Sequence, residues 1–346
     1  MWLGSFPRPT PDSKKSSITD LKNRFKMPVT VASIAIGSVN KSIDICDKYA
    51  VIDSIIYDIT NPSYPKSVGN ANYGAECTTN DKYVVGMSSN ATTLYSQPMV
   101  NGVPQTGKAF TITSSYFNTL RNDGTDLFGI YRDGSNRPTV FKAPIDLNIS
   151  TVTWSYTLSY SVDMLSTMVE KNSKPYIYVL AVDTTNKYVD LLMFDKATGG
   201  LVSSIALSRG YYGVQGAWLI GIDPVNGDIY VSISQKWSSS SSMSYSIARI
   251  KSDLSSIVLT KEITTSLSDN FLGGFVSSDD TFSVYVQTIL YVLKKSDFSI
   301  VNSFQSPGLA PVNNAAVKWG LDNKKCMYST TFPSSGYYTS NIAYVL

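Results

Sequence analysis

The sequence predicts an all-β chain built from one repeated four-stranded unit. Three observations point there. Charge is scarce: 16% of the 346 residues are charged, against roughly 25% in an ordinary soluble domain. Polarity is carried instead by Ser, Thr, Asn and 23 tyrosines, of which Thr and Tyr favour strands and Ser and Asn favour turns. A short alternating apolar run also recurs along the chain, and no long helical pattern interrupts the series. With 43% hydrophobic residues the chain buries a large core, and all-β units of this length commonly form one domain.

The recurring run is a charged or turn residue followed by Tyr, Val and Ile. Its copies are Lys48–Asp53, Lys82–Met87, Asp126–Tyr131, Tyr176–Ala181, Asp228–Ile233, Phe282–Val286 and Lys325–Ser329. They are spaced by roughly 35 to 55 residues, which is the period of propeller blades. A shorter apolar strand and a turn precede each copy, as in Trp218–Ile222 before Asp223–Gly227. A hairpin with a charged turn follows, as in Leu191–Phe194, Asp195–Gly200 and Leu201–Leu207. That makes four strands per unit, separated by Gly, Asn and Asp turns.

Residues 29–346 therefore resemble a seven-bladed β-propeller with degenerate blades. The final unit, Ala315–Leu346, supplies three strands, and the spare apolar segment Val29–Ile36 is expected to pair with Ile342–Leu346 and close the ring. There is no WD dipeptide and no kelch di-glycine series, so the resemblance stops at architecture.

Residues 1–28 do not fit the repeat. Up to Met27, six basic residues stand against Asp12 and Asp20, a net +4 where the whole chain is +3, so the remainder is −1. Pro7, Pro9 and Pro11 favour an extended opening. Ser17 and Asp20 suit the start of a short helix that brings Ile18, Leu21 and Phe25 to one face, and Pro28 would stop it. With Trp2, Leu3 and Phe6 these residues make a basic arm that is expected to order against a partner. The charge is modest and unclustered, so no nucleic acid is expected.

Chemistry is constrained by one fact above all: the chain has no histidine. Ser-His-Asp and Cys-His nucleophiles and His-ligated metals are excluded. Cys46, Cys77 and Cys326 lack close spacing, so zinc is not expected. Cys46 and Cys77 fall on equivalent strands of consecutive repeats and are read as small buried apolar residues, with a disulfide as the alternative. Gly102–Ala109 nearly matches a phosphate loop, but Ala109 stands where a Ser or Thr must bind magnesium, and it is read as a hairpin turn. Asp223, Asn226 and Asp228 suggest calcium in principle and a strand-connecting turn in practice. Asp44, Asp47, Glu76, Asp163, Glu170 and Asp279 lie near predicted inner strands, where some propeller hydrolases pair carboxylates. No catalytic, cofactor or metal residue is assigned.

Contact is the favoured role. Tyr211, Tyr212, Trp237, Tyr245, Tyr337 and Tyr338 are expected on exposed turns, because Tyr beside Ser and Gly makes adaptable recognition surfaces. Asn40, Asn90 and Asn148 open N-glycosylation sequons. No secretory signal and no membrane-spanning stretch is read from the sequence. In composition the chain resembles virion proteins of viruses of thermoacidophilic archaea, Ser/Thr/Tyr-rich and poor in charge. That resemblance implies a virion structural or host-attachment protein, made in the host cytoplasm, whose arm docks to the particle and whose propeller meets neighbouring subunits or a host glycan or protein. The alternatives are a cytoplasmic scaffold that binds a partner protein, and a glycosidase or lyase with an acidic channel.

Overall fold

The computed structural model describes residues 28–36, 43–52, 54–61, 64–71, 76–88, 90–112, 116–135, 137–160, 162, 164–169, 175–183, 186, 188–209, 213–236, 243–265, 271–276, 280–286, 289–305, 317–319, 325–331 and 338–345. Every regular element among them is a β-strand. The arm residues Trp2, Leu3, Phe6, Ile18, Leu21 and Phe25, and the expected helix, lie outside the described residues.

The described strands form seven antiparallel sheets, six of them built in chain order and the seventh completed by the strand Pro28–Ile36. Blade 1 holds Ile43–Ile45, Tyr49–Ile52, Ile55–Asp58 and Lys66–Asn70. Blade 2 holds Cys77–Thr79, Tyr83–Met87, Thr93–Val100 and Lys108–Thr111, with Val103–Pro104 as an added short pair. Blade 3 holds Tyr116–Asn122, Asp126–Arg132, Pro138–Pro144 and Trp154–Thr157. Blade 4 holds Met164–Val169, Tyr176–Asp183, Tyr188–Asp195 and Leu201–Arg209. Blade 5 holds Gly213–Ile222, Ile229–Lys236, Met243–Ile250 and Ile257–Thr265. Blade 6 holds Phe271–Val276, Thr281–Val286, Ile289–Lys294 and Ile300–Gln305.

Blade 7 joins the two ends of the chain. Val317–Trp319, Lys325–Thr331 and Tyr338–Val345 supply three strands, and Pro28–Ile36 adds the fourth, from Pro28 opposite Val345 to Ile36 opposite Tyr338. This is the pairing expected of Val29–Ile36. The first strands of consecutive blades lie against one another, and that of blade 7 also contacts that of blade 1, so the order is cyclic.

The core is a series of layers between blades. Ile177, Val179 and Ala181 pack against Phe128, Ile130 and Val140 of blade 3, while Tyr178, Leu180 and Val182 pack against Leu219, Ile229 and Val231 of blade 5. A strand buried on both faces has no polar side to show, which is why its sequence, Tyr-Ile-Tyr-Val-Leu-Ala, reads as continuous apolar rather than alternating. Cys46 and Cys77 sit together in the layer between blades 1 and 2, both buried and both free thiols. The disulfide alternative is therefore corrected: Cys46 Sγ instead accepts the Tyr49 N–H at 3.3 Å, and burial pushes its thiol up to about 12.

Candidate interaction surface

Two kinds of turn share one face of the ring: those joining first to second strands and those joining third to fourth. In blades 2, 3 and 5 the first kind begins with an Asp or Asn whose backbone N–H closes the turn, a place that Cys46 takes in blade 1. Asp123 donates to Asp126 O and Asp223 to Asp228 O. In both, Oδ1 of the aspartate stays within its own turn, accepting Thr125 and Asp126 N–H at one and Val225 N–H at the other. Oδ2 turns outward to the next blade. It meets Lys196 Nζ of blade 4 at 3.1 Å, and Lys295 Nζ of blade 6 at 2.9 Å. All four side chains are buried. Such pairs stand because each partner neutralises the other; removing one partner strands a buried charge at a cost of about 3–5 kcal/mol.

The second kind of turn carries a repeated acceptor. The carbonyl at one position receives a side-chain donor from the preceding blade four times in succession. Ser96 Oγ donates to Ile145 O at 2.6 Å, Trp154 Nε1 to Lys196 O at 2.9 Å, Tyr178 Oη to Ser252 O at 3.0 Å, and Arg249 Nη1 to Lys295 O at 3.2 Å. Donor residue and donor strand change at each step, while the acceptor, being backbone, does not.

Two or three residues further on, each of these turns enters the left-handed region: Leu147 at φ 52°, Gly199 at 74°, Leu254 at 59° and Phe298 at 56°. Left-handed backbone costs an L-residue about 1–2 kcal/mol. Leu147, Leu254 and Phe298 offset this by burying an apolar side chain in an inter-blade layer. Gly199 has none to bury, because the Trp154 ring of blade 3 fills the space: a Cβ at Gly199 would stand 2.5 Å from it. An indole from one blade thus replaces the plug that the neighbouring turns supply themselves.

These contacts also settle the acidic clusters. Asp228 faces Arg249 at 2.6 Å, and Asn226 Oδ1 accepts the Asp228 N–H, so the Asp223–Asp228 segment is a turn with Gly227 at φ 79°. Glu76 holds Arg121 at 2.6 Å, and Asp44 accepts the Thr79 N–H at 2.6 Å across blades 1 and 2. Asp47 is exposed, and Asp163, Glu170 and Asp279 lie outside the described residues. The Gly102–Ala109 motif is a hairpin: Asn101 and Gly102 have φ of 50° and 78°, the paired positive values of a type I′ turn.

Of the residues expected at the surface, Tyr245 is corrected. It lies on Met243–Ile250 and is fully buried against blade 6, in the layer with Tyr230, Ile247 and Phe282. The strand begins at Met243, and Tyr245 falls on the inward-facing positions that Ile247 also occupies. Tyr211, Tyr212, Trp237 and Tyr337 lie outside the described residues, and Tyr338 opens the third strand of blade 7. Asn90 and Asn148 are exposed, and Asn40 lies outside the described residues.

The exposed apolar residues that are described were not singled out in the sequence. Tyr64, Val100 and Val103 are 78%, 52% and 50% exposed, on the third-to-fourth-strand turns of blades 1 and 2. The outer strand of blade 1 lies against the blade 2 hairpin, since a Cβ at Gly69 would touch the Pro104 ring. A second set opens the outer strands of three consecutive blades at equivalent positions: Leu201 and Val202, Ile257 and Val258, Ile300 and Val301.

No family model and no curated protein matches the chain. Solved structures do. The WD40 domain of Toxoplasma gondii coronin superposes with a TM-score of 0.60 at 11% identity, over 92% of this chain and 87% of that one. The Dos1 propeller gives 0.57 at 9% identity, over 91% and 95%, and Saccharomyces cerevisiae Sqt1 gives 0.54 at 10% identity, over 92% and 100%. The fold is a β-propeller. At these identities the likeness speaks for the propeller architecture alone.

Proposed function

We propose that this propeller is a non-enzymatic interaction module that binds another polypeptide through the turn face of blades 1 and 2. The observation that carries the reading is the exposure of Tyr64, Val100 and Val103, three large apolar side chains each at least half exposed on the third-to-fourth-strand turns of the neighbouring blades 1 and 2. Large apolar side chains exposed on one face of adjoining blades suit a contact site, and aromatic anchors contribute disproportionately to binding. On the same face, the carboxylates Asp123, Asp223 and Asp228 are held in ion pairs between or within blades, which ties up groups that acid–base chemistry would need free.

The architecture shared with the WD40 domains favours a scaffold over a virion component, a reading that has composition alone behind it. A photoreactive cross-linker at position 103 should capture a defined partner in the source cells, and Tyr64→Asp with Val103→Asp should abolish that capture while leaving thermal unfolding unchanged. Capture that survives both substitutions would overturn the assignment of the face. Detection of the chain in purified virus particles would restore the virion reading, and cleavage of any member of a glycan panel by the pure protein would overturn the non-enzymatic one.

A further inference from the structure

Two Asn-Gly pairs occur in the chain, Asn101-Gly102 at the blade 2 hairpin tip and Asn226-Gly227 in the first-to-second-strand turn of blade 5. Asparagine before glycine carries a latent reaction, in which the glycine nitrogen attacks the asparagine side-chain amide. Glycine, with no Cβ, is the neighbour that hinders this attack least. Valine precedes both pairs. The two therefore share their chemistry and differ in how the fold holds them.

Asn226-Gly227 is locked. The Gly227 N–H donates to Asp223 O at 2.8 Å, so the attacking nitrogen is engaged. Asn226 Oδ1 accepts the Asp228 N–H at 2.8 Å, so the amide under attack is engaged too. Asp223 N–H closes onto Asp228 O, and the two carboxylates are tied to Lys295 and Arg249. Gly227 is buried. Asn101-Gly102 differs on each count. Asn101 is exposed and Gly102 half-buried, and among the described residues no hydrogen bond engages the Asn101 side chain or the Gly102 N–H. A Cβ at Gly102 would have just the Tyr49 hydroxyl near it, 4.0 Å away. Ring closure requires Asn101 to rotate out of its left-handed conformation at φ 50°. The turn is held by the two-residue strand Val103–Pro104 and, beyond it, by the Gln105 N–H on Pro98 O. Pro104 has no N–H to add, and a tip held by so few bonds opens at small cost.

We infer that Asn101 is a site of spontaneous covalent modification through a cyclic imide with Gly102. Gly102 N forms a bond to Asn101 Cγ, the Cγ–Nδ2 bond breaks, and Nδ2 departs as ammonia with the proton that Gly102 N has lost. Water then opens the imide at one carbonyl or the other, leaving aspartate or isoaspartate. Either product sets a carboxylate between Val100 and Val103, which are 52% and 50% exposed. Isoaspartate also lengthens the main chain by one atom and breaks the two-residue register of the turn. A charge at that tip must shed water before an apolar partner docks, so the modification switches the blade 1–2 face off. That consequence rests on the function proposed for the face; the modification itself does not.

The folded full-length chain, incubated at mildly alkaline pH in isotopically heavy water and then mapped by peptide mass spectrometry, tests the site. Heavy oxygen should enter position 101 at least about tenfold faster than position 226, whose turn is pinned and buried. In urea the two positions should convert alike. Equal rates in the folded chain overturn the proposal, as does conversion at neither position, and a difference that persists in urea overturns the assignment to the fold. Asn101→Asp, which carries the charge of the product, tests the switch: capture by the cross-linker at position 103 should fall about tenfold. Undiminished capture overturns the switch alone. Failure of the natural chain to capture a partner overturns the reading of the face, and the heavy-oxygen result at 101 is independent of both.

Discussion

The joint between blades 3 and 4 and the joint between blades 5 and 6 perform the same task with different residues. Each has a turn aspartate paired to a buried lysine, and each caps that lysine's carbonyl from the earlier blade. In one the donor is Trp154 and the turn residue is Gly199; in the other the donor is Arg249 and the turn residue is Phe298. Phe128 at the first joint corresponds in register to Tyr230 at the second, opposite Lys142 and Arg249 respectively. Burial pushes the Tyr230 hydroxyl pKa upward, so the ring acts there as a neutral filler. What repeats is a backbone geometry with a charge pair beside it, and the side chains that serve it are interchangeable by shape.

The largest effects come from breaking the ion pairs. Asp223→Ala and Asp123→Ala should each destabilise by about 3–5 kcal/mol in urea unfolding, because each leaves a buried ammonium without its partner. If one is silent, the equivalence of the two joints fails. Next is the exchange of plugs. Gly199→Leu should cost about 3 kcal/mol, from left-handed backbone and collision with the indole. Adding Trp154→Ala should recover about 1–2 kcal/mol of it, a coupling that a double-mutant cycle reads directly. No recovery would mean that Trp154 does not stand in for the missing side chain.

The donors sharpen the comparison on a smaller scale. Tyr178→Phe and Ser96→Ala each remove one hydrogen bond to a turn carbonyl and should cost about 1 kcal/mol. Arg249→Met should cost more than either, because Asp228 loses its cation as well. Smallest is the response to pH near neutrality. Without histidine, stability should stay flat from about pH 5 to 8. The turn aspartates set the acid limit: hydrogen bonds from Thr198 hold the Asp195 carboxyl below its usual range, and those from Ser299 do the same for Asp297. A depressed folded value gives stability that is present above the unfolded pKa of about 4 and is lost as pH falls through the folded value. Melting temperature against pH should therefore turn down only below about pH 4, and a step between 5 and 8 would contradict this.

The fold was legible because blade period and turn chemistry are written locally. Seven copies of an apolar run, a spare strand near the start and Asn-Gly or Asp-Gly turns define it without any long-range knowledge. The joints were not legible. Their acceptor is a carbonyl, which leaves no mark in the sequence, and their donors are Ser, Trp, Tyr and Arg from different strands. Tyr245 misled for a related reason: its Ser-rich surroundings suggest a loop, while the strand begins at Met243 and Tyr245 shares a core layer with Ile247. The exposed pairs at 201–202, 257–258 and 300–301 escaped notice because an apolar residue at a strand start signals burial, and only the geometry of an outermost strand leaves it uncovered.

Pairing Pro28 with Val345 also orders events in time. Pro28–Ile36 is made well before its partner Tyr338–Val345, so six blades can assemble by stepwise neighbour pairing while the seventh cannot seal until residue 345 has been made. The pairing of greatest sequence separation thus follows the local ones, and removal of residues 338–345 would leave Pro28–Ile36 without its partner strand.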